Sequence, residues 1–271
     1  MNGFIEIPVL PVSFPEHPGY EALKRAFSEF PVLAFQQAWL EVPEAGFEGG
    51  TVQLAWESST CRLHVFAQMN DRDIYSPDAE LNTPFFLQGD TFELFLKPAE
   101  SEAYVELHVG AQGQCLQLRF PSVEEMKNRR TKGSGFPHDL LLAEPCFSYE
   151  LWRKPDEAMW SVYAVIPLDT FSDQRALSAG DRWDLSFCRY NYSQGEEKPV
   201  ISSTSPFTRA DFHRTQEWLS FTLGGIAHQP CERCGDVEGV LMGERCLCQR
   251  CYYECNSCCG EFGGDDQSVI A

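Results

Sequence analysis

Two groups of side chains have the types and spacing for chemistry. The denser one lies toward the C-terminus, where eight of the twelve cysteines fall between Cys231 and Cys259. Cys231-x2-Cys234 and Cys248-x2-Cys251 form two CxxC knuckles. A short loop can bring such pairs together, so that four thiolates surround one ion in the tetrahedral arrangement usual for structural zinc. The segment is too short to build a core, and bound metal would supply its folding energy. Gly235, just after the first knuckle, is free to turn backbone N–H groups toward the sulfurs. Cys246, Cys255, Cys258 and Cys259 remain for a second site, although adjacency of the last two strains a shared one. The competing reading of the cluster is a disulfide knot, which a reducing compartment disfavours.

The second group sits in Gln88–Phe120, QGDTFELFLKPAESEAYVELHVGAQGQCLQLRF. Apolar residues alternate at period 2 in three runs: Phe92, Leu94, Leu96; Val105, Leu107, Val109; and Leu116, Leu118, Phe120. That period predicts three antiparallel strands with one buried face, joined at the polar turns PAESE and GAQG. A first hairpin symmetric about its loop sets Leu94 opposite Leu107, Phe92 opposite Val109, Glu93 opposite His108, Phe95 opposite Glu106 and Lys97 opposite Tyr104. The second hairpin, treated alike, sets Gln117 beside Glu106 and Arg119 beside Tyr104. The face away from the core then carries Glu93, Glu106, His108, Gln117 and Arg119, with Phe95 and Tyr104 among them. Such a field can hold a polyhydroxylated ligand; antiparallel sheets also commonly have a plain solvated outer face.

The elements that must position these groups are mostly strands. Residues 1–31 read as a proline-rich arm with an amphipathic helix over Tyr20–Phe30, placing Leu23, Ala26, Phe27 and Phe30 on one side. Strands are expected at Val32–Leu40, Thr51–Glu57, Cys61–Asn70, Phe147–Lys154, Met159–Pro167, Trp183–Tyr192 and Trp218–Leu223. Ser122–Arg129 reads as a short helix capped by Ser122, NRRTKGSG as an exposed basic loop, and Asp169–Ala176 as another short helix. A long aperiodic loop after Asn70 carries Asp71, Asp73, Asp78 and Glu80. These acids can offer oxygen ligands to Ca²⁺, but the spacing is not that of an EF-hand, and a solvated acidic loop is the favoured reading. About ten short strands with few helices predict an all-β, antiparallel β-sandwich over 32–223, followed by a small Cys-rich tail over 224–271.

Composition narrows the function. With 271 residues and a net charge of −19, the chain lacks the clustered Lys and Arg of phosphate-backbone binding, so no nucleic-acid partner is expected. No apolar run reaches the ~20 residues of a membrane helix, and no membrane role is expected. The N-terminal residues lack a basic n-region and a long apolar h-region, from which a cytoplasmic protein is expected. No Ser-His-Asp pattern, Gly-rich phosphate loop or HExxH motif is present, so the expectation is a protein that is not an enzyme.

The order of LHVFAQMND, QGDTFELFLKP, YVELHV, WSVYAVIPL, RWDLSFCRYNY and the closing SP…FH…WLSF resembles the family 9 carbohydrate-binding modules, which accompany bacterial xylanases. The resemblance covers about Trp39 to Leu223. It implies a family 9-like sandwich and a sugar held between two tryptophans, with polar side chains around it. On this resemblance the family's acid matches Glu93. Its first tryptophan falls at Leu87 beside Phe86, its second near Phe212, and its arginine at His108. One polar residue is retained and both tryptophans are replaced. The tail loosely resembles zinc-ribbon and LIM modules, which implies a structural element or a contact for a protein partner. The expectation is a noncatalytic glycan-binding protein with a zinc tail; the alternative is an interaction or scaffold protein whose sandwich has lost its sugar.

Overall fold

The computed structural model describes residues 4–10, 13–76, 81–172, 176–225, 231–234, 240–242, 245–248 and 250–252. Contacts divide the chain into two compact units, 1–225 and 226–271.

The large unit is a β-sandwich. One sheet runs in the order β1 (Ile5–Ile7), β12 (Leu219–Leu223), β10 (Arg182–Asn191), β5 (Thr91–Pro98), β6 (Tyr104–Gly110) and β7 (Cys115–Phe120), with β11 (Val200–Ser203) also paired to β10. The other runs β2 (Val32–Ala34), β3 (Gly50–Glu57), β4 (Arg62–Asn70), β9 (Met159–Pro167) and β8 (Ser148–Lys154). Alternating residues of both sheets meet in one core, including Leu54, Trp56, Val65, Trp160 and Val162 from one and Phe92, Leu94, Leu107, Trp183 and Phe187 from the other. Strand β2 pairs only over Val32–Ala34, shorter than the expected Val32–Leu40, because the chain leaves the sheet after Phe35 to bridge Gln36 to Ser203.

Both outer faces are covered as well. Helix α1 (Tyr20–Phe27) buries Tyr20, Leu23 and Phe27 against Ala55, Phe66 and Tyr163; fully burying side chains of this size stabilises by roughly 1.5–3 kcal/mol each. On the opposite face, Phe95, Tyr104, Leu116, Leu118 and Phe120 pack with Met126, Phe207, Phe212 and Trp218. Met126 belongs to helix α2 (Val123–Lys132), whose N-cap Ser122 accepts the Glu125 N–H and whose C-cap is Gly133 in the left-handed region. The expected basic loop is therefore largely helix: Arg129, Arg130 and Lys132 occupy its last turn, where cations suit the helix dipole. Leu168–Phe171 forms a 3₁₀ turn where a longer helix was expected; residues 173–175 lie outside the described set.

The first hairpin has the expected register, with Phe92, Glu93, Leu94 and Phe95 opposite Val109, His108, Leu107 and Glu106. The second is shifted by one residue: Glu106 pairs with Leu118, and Leu107 with Gln117. The cause is an odd loop. Gly110 and Gln114 pair, leaving Ala111, Gln112 and Gly113, with Gly113 at φ 86°, a three-residue turn that needs a left-handed position. One residue of slip turns every side chain to the other face. Leu116, Leu118 and Phe120 therefore join the outer cluster rather than the central core.

Arg189 of β10 is fully buried. Its Nη1 donates to the carbonyls of Glu48, Gly49 and Asn70, and its Nη2 to Asp71 Oδ2 (3.0 Å) and Asn191 Oδ1 (2.5 Å). Asp71 also accepts from Trp160 Nε1 at 3.1 Å. The carboxylate expected to help hold calcium is thus occupied by a guanidinium, and Asp73 accepts the Gln194 N–H. Asp78 and Glu80 lie outside the described residues.

Candidate functional site

Strands β5 and β6 bring Glu93, Glu106 and His108 together on the outer face of their sheet. All three are buried, with exposures of 2%, 5% and 0%, not solvated as expected: Phe85 and Phe86 pack edge-on against His108, and His213 reaches Glu106. His108 Nε2 is 2.7 Å from Glu106 Oε1 and Nδ1 is 3.4 Å from Glu93 Oε1. On the far side of Glu106, His213 places Nε2 3.7 Å from Oε2, while its Nδ1 is 2.7 Å from the Tyr104 hydroxyl. Among the described residues, Glu93 Oε2, Glu106 Oε2 and His108 Nδ1 are buried without a hydrogen-bond partner.

Above Glu93 and Glu106 opens a cavity of about 570 Å³. Its walls are Phe86, Tyr190, Phe212 and Phe136, with Arg129, Arg130 and His213 at its polar side. The aromatic rings are mutually packed: Phe86 to Tyr190 at 5.7 Å and Tyr190 to Phe212 at 5.6 Å between centroids, with Phe86 edge-on to His108 at 5.2 Å. Arg130 is paired with Asp211 at 3.1 Å and Arg129 with Asp139 at 2.6 Å.

This setting separates the two carboxyls. Burial, reinforced by Glu106 and opposed by His108, pushes Glu93 up to about 8. Glu106 is equally buried, but His213, the His108 hydrogen bond and Arg130 outweigh that burial and hold it below the usual range. For His108, burial is outweighed by Glu93 and Glu106, so its pKa is raised. Environments that drive neighbouring groups apart are typical of binding and reaction sites.

Of the residues singled out from sequence, Glu93, Glu106, His108, Phe86 and Phe212 converge here. Gln117 and Arg119 do not; the register shift turns them to the other face. Gln117 Oε1 accepts from the Cys146 backbone N–H at 2.8 Å, and Arg119 borders a different depression with Arg62 and His64. Tyr190, His213, Phe136, Arg129 and Arg130 were not anticipated. The capped helix after Ser122 carried the signal for the two arginines, since the expected span already ends on Arg129 and one more helical residue reaches Arg130.

In the small unit, β13 (Val240–Met242) and β14 (Arg245–Leu247) form a hairpin. Cys231, Cys234, Cys248 and Cys251 place their sulfurs within 4.8 Å of one another, with Cys234 and Cys248 at 3.6 Å. Backbone N–H groups of Cys248, Cys234 and Arg233 point at Cys231 and lower its thiol to about 6, so a thiolate is favoured there. The arrangement is compatible with a metal site. Gly235, Cys255, Cys258, Cys259 and the Cys246 side chain, invoked for the first knuckle and a second site, lie outside the described residues.

No family model matches the sequence, and no curated protein matches it. Solved structures do share the fold. A candidate carbohydrate-binding protein from Bacteroides uniformis superposes with a TM-score of 0.58 at 13% identity, over 82% of this chain and 100% of that one. A family 9 carbohydrate-binding module from Caldicellulosiruptor kristjanssonii, solved with cellotriose, gives 0.55 at 13% identity over 82% and 94%. Its glucose complex gives 0.54 at 14% over 82% and 96%. The chain therefore has the family 9-like sandwich fold.

Proposed function

We propose that the large unit is a noncatalytic saccharide-binding domain whose ligand enters the cavity over Glu93 and Glu106. The observation that carries this reading is the combination of aromatic walls and an acidic floor. Ring faces match the C–H face of a pyranose, and carboxylate oxygens accept its hydroxyl protons. The ligands of the similar structures, cellotriose and glucose, support a glycan as the ligand class. The test is a glycan array, followed by calorimetry on each hit. Glu93→Gln and Phe212→Ala are each expected to weaken binding at least ~10-fold, the loss of one hydrogen bond to the buried acid or of one aromatic wall. A hit bound equally by both variants places the sugar elsewhere, and no hit at all removes the reading.

The four cysteines of the small unit are read as a structural zinc site. A tetrahedral ion with Zn–S of ~2.3 Å sets its sulfurs ~3.8 Å apart, and the Cys234–Cys248 separation of 3.6 Å is near that edge. Zinc would fold this unit and leave the sandwich standing on its own core; the unit then offers a rigid contact for a protein partner. Metal analysis under reducing conditions should find one zinc bound by these sulfurs. Cys231→Ser with Cys248→Ser should lose it while the sandwich melts unchanged. Full zinc content in that variant refutes the assignment.

A further inference from the structure

The floor of the cavity has a second capacity, independent of whether a sugar occupies the space above it. We propose that Glu93, Glu106 and His108, with His213 as a fourth donor, bind one divalent transition-metal ion.

The first argument is distance. One ligand atom from each of Glu93, Glu106 and His108 lies within 4.8 Å of the others. An ion with bonds of ~2.1 Å holds neighbouring ligands ~3.0–3.4 Å apart and opposed ones ~4.2 Å apart. His108 Nε2 and Glu106 Oε1, hydrogen-bonded at 2.7 Å, would part by a few tenths of an ångström (about 0.3–0.7 Å) to become neighbouring ligands of one ion.

The second argument is satisfaction. Glu93 Oε2, Glu106 Oε2 and His108 Nδ1 are buried and lack hydrogen-bond partners among the described residues. A buried polar atom left unpaired costs about 1–3 kcal/mol, and three in one cluster is unusual for a finished structure. An imidazole proton shared between the two carboxylates does not resolve this, because both Oε2 atoms would still be unpaired. One cation bound through His108 Nε2 and an oxygen of each glutamate would engage both carboxylates, and His108 Nδ1 would keep its proton facing Glu93 Oε1 at 3.4 Å.

The third argument is orientation. The Tyr104 hydroxyl, 2.7 Å from His213 Nδ1, turns Nε2 toward Glu106 Oε2 at 3.7 Å. Metal-binding histidines are commonly held this way, with the second nitrogen fixed by an outer partner. Two imidazoles and two carboxylates favour zinc, iron, cobalt or nickel over calcium or magnesium, which prefer all-oxygen sites. Glu93 and Glu106 face the cavity, so the ion's remaining coordination positions open onto it.

The experiment must separate this ion from the thiolate site. The full-length chain carrying Cys231→Ser and Cys248→Ser is titrated with Co²⁺, read by calorimetry and by visible absorption. One equivalent should bind, without the intense near-ultraviolet band of cobalt–thiolate coordination. Glu93→Gln and Glu106→Gln, similar in size to the parent residues, should each weaken it at least ~100-fold. Tyr104→Phe, which frees His213, should weaken it about 10-fold. Near-ultraviolet circular dichroism and thermal melts report whether each variant keeps its fold. If the cysteine variant does not fold, the parent is loaded first with one equivalent of zinc and then titrated with Co²⁺. Absence of a thiolate-free Co²⁺ equivalent overturns the proposal. So does unchanged affinity in both folded glutamine variants.

Discussion

Each outer face of the sandwich carries a buried histidine beside a carboxylate and a tyrosine, and the two clusters are finished differently. Under the N-terminal segment, Glu57 accepts from Ser13 and, at 2.6 Å, from Thr60, while His64 Nδ1 meets the Tyr163 hydroxyl at 2.7 Å. Those hydrogen bonds outweigh burial and hold Glu57 low; burial holds His64 low as well. Across the molecule, Glu93 and Glu106 share His108 and keep two oxygens unpaired over a cavity. A cavity of about 870 Å³ also adjoins the first cluster, so the contrast does not lie in having space nearby. It lies in whether the carboxylate oxygens are already used. A carboxylate with its acceptor sites filled holds the fold, and one left short by its own chain is placed for a ligand.

The comparison can be broken by stability measurements. Glu57→Ala strands the Ser13 and Thr60 hydroxyls and His64, and is expected to cost about 2–4 kcal/mol in urea unfolding. Glu93→Gln in metal-free protein near pH 4.5, where the folded parent's side chain is also neutral, is expected to change stability by less than about 1 kcal/mol. Equal costs would erase the distinction.

The pH dependence should run in opposite directions on the two faces. The Glu93 carboxyl is raised to about 8 from an ordinary 4.5. Between those values the folded protein keeps a proton that the unfolded chain has released, so this group's stabilising contribution falls as pH rises. The pKa of His64 lies below its ordinary 6.5. The unfolded chain takes up that proton first, so stability is lost as pH falls below about 6.5. In chelator-treated protein, Glu93→Gln should flatten the first slope and His64→Gln the second. A Glu93→Gln profile that still falls from pH 4.5 to 8 would show that Glu93 is not the group responsible.

The smallest effect sharpens the binding side. Leu87 borders the cavity and is 58% exposed, so Leu87→Trp can add a ring without displacing the core. It should strengthen binding of any glycan hit about 5–10-fold, the ~1 kcal/mol of an added aromatic contact. Unchanged affinity would mean that the sugar does not reach this edge.

Much of this was legible in residue order. Period-2 alternation placed the main strands, and the PAESE turn set Glu93 opposite His108 correctly. The second hairpin was misread because GAQG can close as a four-residue loop or, with Gly113 left-handed, as a three-residue one, and composition does not choose between them. That single step misplaced Gln117 and Arg119. Burial of the Glu93 face was hidden for another reason. Much of its cover comes from Met126, Phe207 and Phe212, distant in sequence and lying in segments without a strand period. Strand β11 was missed because its four residues, Val200–Ser203, show no clear alternation.

Arg189 has a mechanical consequence. Its side chain leaves one sheet and grips the ends of two segments of the other, through Glu48, Gly49, Asn70 and Asp71. Sliding the sheets past each other would strip a guanidinium of its acceptors inside a dry interior, where an unpaired charge is strongly disfavoured. The two layers are thus riveted against shear at that end, and they should come apart in one cooperative event rather than peel sequentially. Lysine, a compact charge without the planar fork, could not reach all five oxygens at once.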